Sequence, residues 1–140
     1  MRQEATSASN KEQVRAFYAI IWNQHDKQAV PNLLTEDIVF RGSLGQEKVG
    51  HADFIEYLDS VHECLGDYRC VIEDLVAEVD KVFAKMLFEG IHRDVLMGEE
   101  PTGKSVFWRG AALSCFMDNK ISRIWVLGDI NSLESQSRKS

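Results

Sequence analysis

The sequence predicts a single α+β domain, with helices in its first half packed on a long, curved antiparallel sheet formed by its second half, and three observations support this. At 140 residues the chain matches the commonest domain size and buries roughly two thirds of its unfolded surface on folding. Up to about residue 65, apolar residues recur mainly at helical spacing, whereas long β-branched and aromatic runs dominate after it. Short polar or Pro/Gly breaks separate those runs, as hairpin turns require.

In chain order, Asn10 reads as an N-cap, and Val14, Phe17, Tyr18, Ile20 and Ile21 form the apolar stripe of a first helix over 11–24. A second, short helix over 27–34 takes Pro31 in its first turn. Ile38, Val39 and Phe40 make a short strand closed by a turn at Gly42 to Gly45. A third helix starts after Gly50, carries Phe54, Ile55, Leu58, Val61, His62 and Leu65, and stops at Gly66. Strands over 68–79, 82–96, 105–117 and 121–130 then form a meander. Strands this long must twist and curl, which leaves a concave face for the helices and one pocket between them. The domain spans 10–133, and the polar ends 1–9 and 134–140 read as flexible.

Composition narrows the function classes. Sixteen Lys and Arg stand against 22 Asp and Glu, a net charge of -6, and no basic run offers a phosphate-tracking stripe, so nucleic acid is not expected as a partner. Cys64, Cys70 and Cys115 are odd in number and have no CxxC spacing, which fits free thiols in a reducing cytoplasm and neither disulfides nor a metal site. His25 and His51 have no second ligand at metal-site spacing. The first ten residues lack the apolar core of a signal peptide, and no stretch reaches the roughly 18 apolar residues of a membrane span. The expectation is a cytoplasmic protein with no membrane partner, no metal and no cofactor.

The order of these elements, together with three local phrases, resembles the SnoaL-like branch of the NTF2-like superfamily over Asn10 to Leu133. The phrases are Gly90-Ile91-His92 followed by Pro101-Thr102-Gly103-Lys104, Lys120-Ile121 leading to Trp125 and Asp129, and Trp22-Asn23 followed by Asp26. The resemblance implies a cone of curved sheet closed by three N-terminal helices, dimeric through the sheet. It also implies a pocket for a small apolar, oxygenated ring compound, worked on without metal or organic cofactor. Relatives in this branch include aromatic polyketide cyclases and ester-cyclase-like proteins, with ketosteroid isomerase and limonene epoxide hydrolase more distant. In the cyclases an acid/base Asp follows the Trp of the last strand; here that position is Val126, and its polar partners would fall near Gly110 and Ala112. The Arg-x-Asp of the epoxide hydrolases is absent at Gly90-Ile91-His92.

The remaining candidates are weighed residue by residue. His92 ends a strand whose same-face neighbours are apolar, and is either a proton-transfer group or a satisfied structural histidine. Asp129, read as buried at a strand end, is either an acid/base group or a local hydrogen-bond acceptor. Arg41 follows an apolar strand and either stabilises an oxyanion or pairs with a nearby carboxylate. Arg109 belongs to the pocket or to a dimer surface. Tyr18, Trp22, Phe54, Tyr57, His62, Phe88, Trp108 and Val126 are the expected pocket lining. Two functions follow: a cofactor-free cyclase or isomerase using His92, Asp129 and Arg41, or a non-catalytic ligand-binding or assembly module. An epoxide or ester hydrolase is the third.

Overall fold

The computed structural model describes residues 2–43 and 45–138, so parts of the expected loop at Gly42 to Gly45 and of both expected flexible ends (Leu44, Met1, Lys139 and Ser140) lie outside the described residues. Helix α1 (Arg2–Ala16) runs directly into a π-helical segment (Phe17–Asn23), and a single 3-10 turn (Lys27–Ala29) leads to the short α2 (Val30–Leu33). Strands β1 (Leu34–Arg41) and β2 (Glu47–Val49) precede α3 (Gly50–Cys64). The meander β3 (Leu65–Glu78), β4 (Lys81–His92), β5 (Ser105–Met117) and β6 (Lys120–Gly128) follows, and α4 (Ile130–Ser137) closes the chain.

The six strands form one curved, unclosed sheet in the order β2-β1-β6-β5-β4-β3. Within the meander the pairing is antiparallel as expected, but β1 joins β6 in parallel, because α3 and the whole meander intervene before the chain returns beside it. Bulges at Gly66/Arg69 and Ile72/Asp74 in β3 and at Cys115/Phe116 in β5 bend the sheet. Strict alternation sends Val82, Ala84, Met86 and Phe88 of β4, and Val106, Trp108 and Ala112 of β5, to the concave face. There they meet Phe17, Ile21, Phe54 and Leu58 from the helices, all fully buried. Each such large side chain contributes about 1.5–3 kcal/mol of burial free energy.

Several boundaries differ from expectation. Asn10 is not an N-cap: the helix already runs from Arg2, and the buried Asn10 amide donates to the Val79 carbonyl at 3.3 Å, pinning α1 to the β3–β4 turn. Leu34 starts β1 rather than ending a helix, and β1 extends beyond the three residues foreseen. Gly66 is not a helix stop, because β3 begins at Leu65 and Gly66 pairs with Ile91. β4 ends at His92, and a loop folds back through reciprocal hydrogen bonds between Leu96 and Glu99. Beyond residue 133 the chain does not simply trail away: α4 buries Leu133 and Ser137.

Candidate functional site

Where the helices meet the concave sheet, aromatic side chains close a chamber. The π segment contributes Tyr18 and Trp22, β1 Phe40, the following loop Ser43, and α3 Tyr57. Tyr68 and Cys70 come from β3, Phe88 from β4 and Val126 from β6. Trp22 is the keystone, its ring centroid 5.5 Å from Tyr68, 6.1 Å from Tyr57 and 6.2 Å from Phe40. The Tyr57 hydroxyl lies so close over Gly42 that a Cβ there would come within 2.3 Å of it, so only glycine fits. The enclosed space is about 20 Å³. That is room for about one water molecule.

Two donors in or behind the chamber wall stand idle. Among the described residues, Tyr18 Oη and Trp108 Nε1 are buried without a hydrogen-bond partner, and the indole nitrogen faces the positions of Gly128 and Ser43 at the chamber's edge. Burial pushes the Tyr18 phenol far above the ordinary tyrosine range and Tyr68 likewise, and it pushes the Cys70 thiol up to about 12. These groups therefore stay protonated near neutral pH, neutral hydroxyls and a neutral thiol able to donate hydrogen bonds. Among the described residues, neither a carboxylate nor an imidazole lines the chamber.

Of the expected lining, Tyr18, Trp22, Tyr57, Phe88 and Val126 face the space, whereas Phe54, His62 and Trp108 stand one layer behind. Phe54 packs edge-on against Trp22 at 5.9 Å, and Trp108 backs Phe88 at 5.3 Å and Tyr68 at 6.2 Å. His62 stacks on Trp22 at 6.3 Å and donates from Nε2 to the Trp22 carbonyl at 2.8 Å. Its outer face carries His25, stacked at 4.0 Å and 5°, whose Nε2 meets Asp59 Oδ1 at 2.7 Å. Burial, then the neighbouring His25, holds the His62 pKa below its ordinary value. A metal ion lies in the plane of each imidazole it binds, so two parallel stacked rings cannot share one. Among the described residues no group of three or more His, Cys, Asp or Glu side chains is placed to hold a metal ion.

The three acid/base and oxyanion candidates are engaged elsewhere. His92 is fully buried; its Nε2 donates to the Glu99 carbonyl at 3.2 Å, and Nδ1 meets Thr102 Oγ1 at 3.1 Å, so the imidazole anchors the β4–β5 loop. Asp129 is exposed rather than buried, because β6 ends one residue earlier; it caps α4, accepting from the Ser132 amide at 3.1 Å. Arg41 donates to the Val126 carbonyl across the β1–β6 junction. Arg109 lies on the convex face, paired with Glu73 at 3.0 Å. Phe40, Ser43, Tyr68 and Cys70 were absent from the expected lining. Strand alternation carried the signal for three of them: Phe40 sits between the outward Val39 and Arg41, and Tyr68 and Cys70 flank the exposed Arg69.

Solved structures share this architecture. A candidate SnoaL-like polyketide cyclase from Jannaschia sp. CCS1 superposes with a TM-score of 0.86 at 17% identity, over 96% of this chain and 94% of that one. A candidate polyketide cyclase from Xanthomonas campestris pv. campestris gives 0.80 at 22% identity, over 94% and 98%. A Catenulispora acidiphila protein with a ketosteroid isomerase-like fold, in complex with trimethylamine, gives 0.76 at 16% identity, over 90% and 92%. At these identities the likeness is one of fold. No curated protein matches the sequence. The sequence profile of the SnoaL-like polyketide cyclases matches residues 12–137, nearly the whole chain. The chain belongs to the SnoaL-like polyketide cyclase family.

Proposed function

We propose that this protein binds a small oxygenated aromatic compound in the chamber and holds it without the acid/base turnover of a cyclase. One observation carries this reading: aromatic rings and the unpartnered Tyr18 hydroxyl line the space, while Val126 occupies the wall position that holds an acid in the cyclases this chain resembles. An aromatic guest replaces ring-on-ring contacts, and its carbonyl or phenolic oxygen accepts from Tyr18 Oη, which relieves a buried, unsatisfied donor. Cyclisation or isomerisation at a carbon acid needs a base within hydrogen-bond reach of the substrate. His92, Asp129 and Arg41 are given structural roles in this reading, and the chamber's phenols and thiol are poor bases.

The test uses a 1,3-diketone on an aromatic ring, followed by NMR in deuterated water. The reading expects saturable binding with exchange of the acidic carbon protons no faster than in buffer. Exchange that is accelerated by the protein and abolished by an active-site blocker supports the cyclase or isomerase instead.

The same reading includes a homodimer formed through the convex face of the sheet. Across neighbouring strands, Val76, Phe83, Leu113 and Trp125 align in register, with Leu127 in the adjoining row. Trp125 is 44% exposed, Leu127 53% and Phe83 42%. A contiguous exposed apolar row of this kind marks an interaction surface. A cytoplasmic setting suits three cysteines that remain free thiols. Among the described residues, no helix is long and apolar enough to cross a membrane.

A further inference from the structure

The chamber is too small for any aromatic guest, so binding requires one wall to give way, and the structure distinguishes the walls by what lies behind them. Trp22 is locked among Phe40, Phe54, Tyr57 and Tyr68. Phe88 is backed by Trp108, and Ser43 is pressed against Gly128, where an added Cβ would approach it to 2.7 Å. Tyr18 differs. Among the described residues its single ring contact is with its chain neighbour Phe17 at 4.9 Å, and its hydroxyl has no partner. On its far side lies an open groove of about 580 Å³ between the π segment and the edge strand β3, and Tyr18 and Cys70 line both spaces.

Tyr18 also sits on a π-helical segment, a rare form that occurs frequently at functional sites. That segment is tied to β3 beyond the groove: the Asn23 amide accepts from Cys70 N at 2.8 Å and donates to Cys70 O at 2.9 Å. The tether holds the backbone while leaving the Tyr18 side chain unanchored. Rotation of Tyr18 toward the groove would open the wall and carry its orphan hydroxyl to the junction of the two spaces, where it can still donate to the guest beside the polar side chains of Arg15, Arg69 and Asp74.

We infer that the groove is the outer half of the ligand site, that Tyr18 is the door between groove and chamber, and that the ligand carries an acceptor-rich arm, ending in carbonyl or carboxylate oxygens, which stays in the groove. This rests on the binding reading above for the chamber. The groove's acidic groups are partly committed: Glu73 pairs with Arg109, and Asp74 accepts from the Leu75 amide at 2.9 Å. Arg15 pairs with Glu12, whereas Arg69 has no ion pair among the described residues and is the donor available to the arm.

Cys70 reports on the door. In a Cys64→Ser, Cys115→Ser background, labelling of Cys70 by N-ethylmaleimide should proceed in the native state, at least tenfold faster than global unfolding permits. Tyr18→Ala should accelerate it a further tenfold or more, and Val126→Ala, which enlarges the opposite wall, by less than twofold. Labelling that tracks global unfolding, or equal effects of the two substitutions, overturns the door. The arm is read with 2-naphthoxyacetate against 2-naphthol: Arg69→Ala should weaken the former about tenfold and the latter less than twofold. Equal weakening, or none, overturns the outer subsite. If neither naphthyl compound binds, the chamber reading fails with the subsite, while labelling of the unliganded protein still decides the door.

Discussion

The side-chain amide of Asn23 forms two hydrogen bonds with the backbone of Cys70, accepting from its N–H at 2.8 Å and donating to its carbonyl at 2.9 Å. A single side chain thus takes the place of a neighbouring strand at the free edge of β3, at the level of the chamber. Asn23→Ala removes both bonds and leaves the Cys70 amide and carbonyl to be satisfied otherwise. Urea unfolding should show a loss of about 1–3 kcal/mol. Asn23→Asp should keep the acceptor and recover part of the loss.

Protonation of His62 opposes folding. Its pKa is held below the ordinary 6.5, first by burial and then by the stacked His25. The unfolded chain therefore binds this proton more readily, so the contribution to stability is complete above about pH 6.5 and falls as pH drops through the lowered folded value. Asp59, lowered by its hydrogen bond from His25, acts in the same sense at lower pH. Thermal unfolding between about pH 7.5 and about pH 5 should show a smaller decline in His62→Gln than in wild type, because glutamine retains a donor for the Trp22 carbonyl without a titrating ring.

His92→Phe should be costly for stability and neutral for binding. It strips the partners from Thr102 Oγ1 and the Glu99 carbonyl inside the β4–β5 loop, at about 2–4 kcal/mol. Calorimetric affinity for an aromatic probe should change less than twofold, measured at a temperature where the variant is folded. A large loss of affinity with intact stability would return His92 to the site.

Trp125→Glu places a charge in the apolar row of the convex face. Light scattering at micromolar concentration should find twice the chain mass for wild type and the chain mass for the variant, with unchanged far-UV circular dichroism. Wild type scattering as a single chain would exclude the dimer.

Much of this molecule was legible from residue pattern. The period change near Gly66 marks where helices give way to the meander, and Asp118-Asn119, both at positive φ, forms the tight β5–β6 turn that such a pair favours. What escaped was decided by tertiary contacts. Asn10 has the chemistry of a helix cap, yet a carbonyl contributed by Val79 claims its amide. Asp129 looked like the end of a strand because Leu127 and Ile130 continue the apolar run, and only the turn at Gly128 makes it a cap for α4. The apolar face of β4 was read correctly, but periodicity does not reveal that His92 at its end meets a folded-back loop instead of the chamber. Tyr68 and Cys70 follow from the alternation of β3, but the sequence does not show that this edge strand curls round to complete the chamber.

In the proposed function an oxygenated aromatic compound occupies the chamber against Val126. Isothermal titration of 2-naphthol into wild type and into Val126→Trp measures it most directly. Wild type should bind at one site per chain with micromolar affinity, and the variant, whose indole fills the space, at least tenfold more weakly. Equal affinity in both folded proteins, or no binding to wild type at millimolar probe, would contradict it.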